Sequence, residues 1–100
     1  MRREPARRLG GELRGLRTAA RLSQRDLCAA LAEHGVMMTQ PTVSRIEAGQ
    51  TVPNTPEAEA WCDATGASAA DRLGVLESVR LLFASGLGGR ARTASTRVAT

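Results

Sequence analysis

The sequence contains no Lys and no Tyr, and only one Trp, one Phe, one His and two Cys. Each shortage narrows the function. The apolar residues are mostly Ala and Leu, and Val and Ile never alternate with polar neighbours, a pattern that favours an all-α fold. No apolar run approaches the roughly 18 residues needed to cross a bilayer, and the opening "MRREPARRLGGELRG" lacks the apolar centre of a signal peptide. A cytoplasmic protein with no membrane contact is therefore expected. Cys28 and Cys62 form no C-x-x-C pair and have no neighbouring His, which argues against metal and for reduced, structural thiols. The single His34, beside Gly35, reads as a residue at a helix end, and no nucleophile, base and orienting acid come together. No enzyme and no cofactor are expected. "GLGGRA" at 86–91 matches the dinucleotide-binding spacing in form, but it follows a predicted helix and no acid stands about 20 residues beyond it, so it reads as linker.

What the chain has in quantity is Arg. All 14 basic residues are Arg, which with the abundant Ala suggests a GC-rich source, and the net charge is +4. Residues 1–25 carry eight Arg against Glu4 and Glu12, residues 26–89 carry three Arg against eight acids, and the last eleven residues add three Arg. Positive charge concentrated at the ends of a 100-residue chain, the size of one small domain, points to nucleic acid or another anionic surface.

Five helices are predicted. Pro5 opens the first, and Leu9, Leu13, Leu16 and Ala20 carry it to about Leu22, with Gly10, Gly11 and Gly15 weakening its early turns. Residues 1–8, with Arg2, Arg3, Arg7 and Arg8, read as a basic arm ahead of a domain over 9–85. Ser23 is the predicted N-cap of "QRDLCAALAEH", with Asp26 in capping-box position, Leu27 and Leu31 inward, and Gly35 as the stop. Thr39 caps a third helix from Gln40 to about Ala48, with Pro41 in its first turn and Gly49 at its end. Thr55 is expected to cap a fourth, with Pro56 first, Ala58, Trp61, Cys62 and Thr65 inward, and Gly66 past its end. Ser68 and Asp71 open a fifth, whose Leu73, Leu76, Val79, Leu82 and Phe83 form a stripe to about Ala84. Residues 86–100 read as a linker or tail leading to a regulatory domain or partner protein.

The third helix draws attention. Val43 and Ile46 point one way, so Pro41, Ser44, Arg45 and Ala48 point the other, leaving a slim polar face with one forked donor. Such a face suits a major groove: Gln40 can pair with adenine or bond a phosphate, and Arg45 can bond guanine O6 and N7. The start of the second helix would offer free N–H groups at Ser23 and Gln24 to a backbone phosphate. Taken singly, Gln40 or Ser44 is equally an ordinary solvated residue.

"LSQRDLCAAL" followed by "TQPTVSRIEAGQTVP" resembles the phage-repressor (Cro/repressor) type of helix-turn-helix domain. The Arg and Ala bias, the last helix and the trailing linker look most like regulators of actinomycetes. The resemblance implies a five-helix repressor-like domain of a bacterial transcriptional regulator, with double-stranded DNA as partner. It implies base contacts from Gln40, Pro41, Ser44 and Arg45, phosphate contacts from Ser23, Gln24, Arg25, Thr39 and Thr42, and an ion pair between Arg17 and Glu47. Three features depart from the family pattern. "AEHGVMM" lengthens the turn before Thr39, which predicts an extended second helix; Cys28 replaces a small Ala; and "QTV" after Gly49 lacks the usual basic phosphate clamp. A homodimer could use Leu82 and Phe83, which would serve a monomer core equally well. The rival readings are a protein-interaction module on the same fold and a sequence-independent DNA binder.

Overall fold

Helix ends in this protein are set by local backbone devices that the sequence spells out. The computed structural model describes residues 3–86, as α1 (Arg3–Ala19), α2 (Gln24–Glu33), α3 (Gln40–Glu47), α4 (Thr55–Thr65) and α5 (Ala69–Ala84), with no strand among the described residues. The linker expected over 86–100 lies outside the described residues from 87 onward, as do Met1 and Arg2.

The start of α1 corrects the expected basic arm. Residues 3–8 are helical, because the apolar period that includes Leu9 and Leu13 continues back to Ala6, which is buried. The other end also differs. α1 stops at Ala19 instead of near Leu22, where Arg21 takes a left-handed φ of 63° and turns the chain. Gly10 does not weaken the helix without return. A Cβ there would stand 2.4 Å from the Ile46 carbonyl oxygen and 2.6 Å from that of Glu47, so at Gly10 the backbones of α1 and α3 approach closely.

α2 has the predicted capping box: the Ser23 hydroxyl accepts from the Asp26 amide at 2.9 Å, and the Ser23 amide donates to the Asp26 carboxylate at 3.1 Å. It is not extended. It ends at Glu33 with His34 as C-cap and Gly35 at φ 83°, and the Val36 and Gly35 amides donate to the Leu31 and Ala32 carbonyls in a Schellman closure. The extra residues form a turn, with Val36 and Met38 leaning on the core and Met37 out in solvent. α3 closes in the same way over Gly49, whose φ is 78°. Thr39 has the backbone of an N-cap, yet its hydroxyl meets that of Thr42 at 3.1 Å and makes no bond to a helix amide.

Two further expectations are corrected. α4 is capped by Asn54, one residue before Thr55, because Asn54 and Glu57 form a complete capping box, and Pro56 is then the second helical residue. The buried stripe of α5 is Val75, Val79 and Leu82, with Leu76 half-buried, whereas Leu73 is 70% exposed. Of the predicted stripe only Val79 and Leu82 are buried; Val75 takes the place of Leu73, and Phe83 at the far end is exposed.

Trp61 organises the core. It is fully buried on α4, and its indole N–H donates to the Leu13 carbonyl of α1 at 3.1 Å, so a large ring is buried with its polar atom satisfied. Leu9, Leu13, Leu27, Leu31, Val43, Ile46 and Val79 complete the same cluster. Each such side chain contributes about 1.5–3 kcal/mol of transfer free energy. On α4, Ala60 joins the predicted inward face, and Thr65 is half-buried with its hydroxyl donating to the Trp61 carbonyl at 2.8 Å. Cys62 is buried and Cys28 half-buried, and desolvation pushes both thiols up, away from the reactive thiolate.

Candidate nucleic-acid interface

The burial of Val43 and Ile46 fixes the rotation of α3 against the core. Gln40, Pro41, Ser44, Arg45 and Ala48 are consequently exposed, while Thr42 is half-buried. At the entrance to this face stand the N-terminus of α2, where Ser23 and Arg25 are exposed and Gln24 is half-buried, and exposed Thr39. The predicted base-facing and phosphate-facing residues are therefore grouped around the adjoining N-terminal ends of α2 and α3.

Behind the face lies a hydrogen-bonded chain. Arg17 of α1 grips Glu47 with two bonds, Nε to Oε2 at 2.6 Å and Nη2 to Oε1 at 3.0 Å, and its Nη1 donates to the Leu22 carbonyl at 2.8 Å. The two side chains are 11% and 5% exposed. The Arg17 pKa is raised, chiefly by its bonds to Glu47, with burial opposing. Glu47 Oε1 also accepts from Gln24 Nε2 at 3.0 Å, and Gln24 Oε1 accepts from Gln40 Nε2 at 3.4 Å.

The order of donors and acceptors in this chain follows from charge. A carboxylate held by Arg17 only accepts, so Gln24 must turn its NH₂ toward Glu47 and its carbonyl toward Gln40. Gln40 in turn spends one N–H on Gln24, and keeps its carbonyl oxygen and second N–H for whatever lies outside.

Some expected roles are altered by this geometry. The Ser23 amide, expected to be free for a phosphate, is occupied by the Asp26 carboxylate, which helix-end charge and the capping box hold in place. Gln24 is joined to the chain behind α3 as well as standing at the helix end. Nothing in the spacing of Gln24 and Gln40, sixteen residues apart, announced their contact. The structure also brings Arg7 to a place the sequence left without a cation. Its backbone and the first part of its side chain lie against Gly49, at 2.7 Å from where a Cβ would be.

Among the described residues no group of His, Cys, Asp and Glu is arranged to hold a metal ion, and among the same residues no helix is long and apolar enough to cross a membrane. A family model described as a helix-turn-helix domain matches residues 8–73, well over half of the chain. No curated protein and no solved structure matches it.

Proposed function

The chain belongs to the helix-turn-helix domain family, and on that premise we propose that it is a cytoplasmic, sequence-specific binder of duplex DNA in a bacterial transcriptional regulator. DNA binding is what the family suggests, and the polarity of the α3 face favours reading of a particular sequence. The observation that carries it is the fixed polarity of the Gln40 amide. One acceptor and one donor left side by side complement the N6 donor and N7 acceptor of adenine, and not the two acceptors of guanine. A sequence-independent binder has no use for an oriented amide.

Around that position the roles follow from placement. Arg45, one turn along the same exposed face, supplies a guanidinium fork for guanine O6 and N7. Pro41 and Ser44 offer small surfaces to base edges, and Arg25, Thr39 and Thr42 border the groove as phosphate contacts. Gln24 has a second N–H for a phosphate while it orients Gln40. Arg7 beside Gly49 supplies the cation that "QTV" lacks. The motifs favour the Cro/repressor type within the family, and the composition favours an actinomycete source.

Selection of duplexes from a random library, followed by sequencing, tests the proposal. A selected site with adenine next to guanine is expected. On that site Arg45→Ala should cost about 1–3 kcal/mol, and on a scrambled duplex at the same salt nearly nothing. Equal loss on both duplexes would favour a sequence-independent binder, and no loss on either would favour a protein-interaction module.

A further inference from the structure

The hydrogen-bonded chain behind α3 leaves Gln40 one way to present its amide. The Glu47 carboxylate is held by Arg17 at 2.6 and 3.0 Å, has no proton to give, and draws the Gln24 NH₂ to itself at 3.0 Å. The group that meets Gln40, at 3.4 Å, is therefore the Gln24 carbonyl. Turning the Gln40 amide over would set two oxygens against each other with no proton between them. Gln24 cannot turn to match without losing Glu47, whose side chain is 5% exposed and poorly placed to take water instead.

A fixed amide restricts the base as well as naming it. Paired adenine spends one N6 hydrogen on thymine, and shows the major groove its second N6 hydrogen and N7. The oxygen and remaining N–H of Gln40 complement these two groups. A methyl group on N6 takes the place of the second hydrogen, because the first is held in the base pair. An N–H···O bond sets nitrogen and oxygen about 2.9 Å apart and an N–C bond is about 1.46 Å long, so a methyl carbon on that line would stand about 1.4 Å from the Gln40 oxygen. Carbon and oxygen in close contact stay about 3.3 Å apart. Gln40 must then leave the base, and both of its bonds go together.

We infer that Gln40 makes the protein sensitive to N6-methylation of the adenine it faces, so that it binds the duplex when that base is unmodified and loses the contact when it is methylated. The inference rests on the reading of Gln40 as an adenine contact, and adds the modification state of the DNA to what the site distinguishes. An amide free to swing could move its oxygen aside and keep an N–H on N7. The bonds through Gln24 and Glu47 oppose that escape.

The test titrates the full chain by fluorescence anisotropy, at one salt concentration, with the selected duplex unmodified, N6-methylated at one site adenine at a time, or N6-methylated at an adenine outside the site. At one site adenine the methyl group should weaken wild type about tenfold to a hundredfold, the size of a lost bidentate base contact. Outside the site it should change little. Gln40→Ala, at an exposed position, should bind the modified and unmodified duplexes alike, and Gln24→Ala should show a penalty smaller than wild type. Wild type that binds every methylated duplex as tightly as the unmodified one overturns the inference, as does a penalty undiminished in Gln40→Ala or a selected site without adenine. In each of those cases a preference for the selected duplex over a scrambled one leaves sequence reading standing, whereas no preference between the two unmodified duplexes is the failure of that reading itself.

Discussion

The pairs Arg17–Glu47 and Arg80–Glu77 have opposite surroundings. Arg17–Glu47 joins two helices across 30 residues, with side chains 11% and 5% exposed, and each partner is tied to a third group, the Leu22 carbonyl or the Gln24 amide. Glu77–Arg80 spans three residues of one helix, and both side chains stand mostly in water. The chemistry is the same, and burial decides what it does. In the first pair, desolvation makes every unmade bond costly, so the pair holds α1 against α3 and fixes the hydrogen-bond polarity that reaches Gln40. In the second, water screens the attraction, so the pair does little for its own helix.

The largest predicted effect comes from breaking the first pair. Glu47→Ala leaves the largely buried Arg17 guanidinium without its counter-charge and should lower stability by about 3 kcal/mol, read as a fall in the urea midpoint. Replacing both partners, Arg17→Met with Glu47→Leu, should recover part of that loss, because no buried charge then lacks a counterpart. The double variant should still bind the selected duplex with a weakened preference for adenine, since Gln24 would no longer be oriented. If Glu47→Ala leaves the midpoint where it is, the contrast between the two pairs is lost.

Glycines sharpen the comparison next. Ala at a helical position is favoured over Gly by about 0.8–1 kcal/mol when nothing intervenes. At Gly74 on α5 the space for a Cβ is open, so Gly74→Ala should stabilise by that amount. At Gly10 the added carbon would meet the Ile46 and Glu47 carbonyl oxygens at 2.4 and 2.6 Å, backbone atoms that can retreat only if α1 and α3 part. Gly10→Ala should therefore destabilise by about 1–3 kcal/mol, the cost of overpacking a close contact. Thermal unfolding of the two variants should shift in opposite directions, and stabilisation by both would remove Gly10 as the fixed point of the corner.

The sequence showed most where the physics is local. Ser23 with Asp26 and Gly49 fix their helix ends through bonds within a few residues, Pro41 does so through its fixed φ, and the spacing of Val43 and Ile46 alone was enough to expose Pro41, Ser44 and Arg45. It misled where two local solutions were close in quality. Asn54 and Thr55 both precede Pro56, and only the Asn54 box with Glu57 satisfies two backbone groups at once. On α5, Leu73 and Val75 lie on opposite faces, and the packing of α1 and α4 against that helix decided that the Val75 face is the buried one. It was silent where contact depends on the fold as a whole: Gln24 on Gln40, Arg7 on Gly49, and Trp61 on the Leu13 carbonyl are separated by 16 to 48 residues. The Arg17–Glu47 pair was expected only through the resemblance.

The smallest predicted effect separates the N-terminal end of α2 from α5 by pH. Asp26 is solvent-exposed, and its pKa is lowered, first by the bond from the Ser23 amide and then by the Ser23 hydroxyl. A carboxyl with a lower pKa in the folded than in the unfolded chain adds stability that is fully present above its unfolded value and disappears as pH falls through its folded value. Asp26→Asn keeps an oxygen that can accept from the Ser23 amide but removes the titration. Wild type should thus have the higher urea midpoint at neutral pH, and the gap should close as the pH is taken below the ordinary carboxylate range. Glu77 is also lowered, by its bonds to Arg80, yet that bond is to a cation that salt screens, whereas the Ser23 amide is part of the backbone. Raising the salt concentration at neutral pH should therefore reduce the difference between wild type and Glu77→Gln while leaving most of the difference between wild type and Asp26→Asn. If both differences respond alike to salt, the cap at the head of α2 is an ordinary surface charge and contributes no fixed geometry to the α2–α3 face.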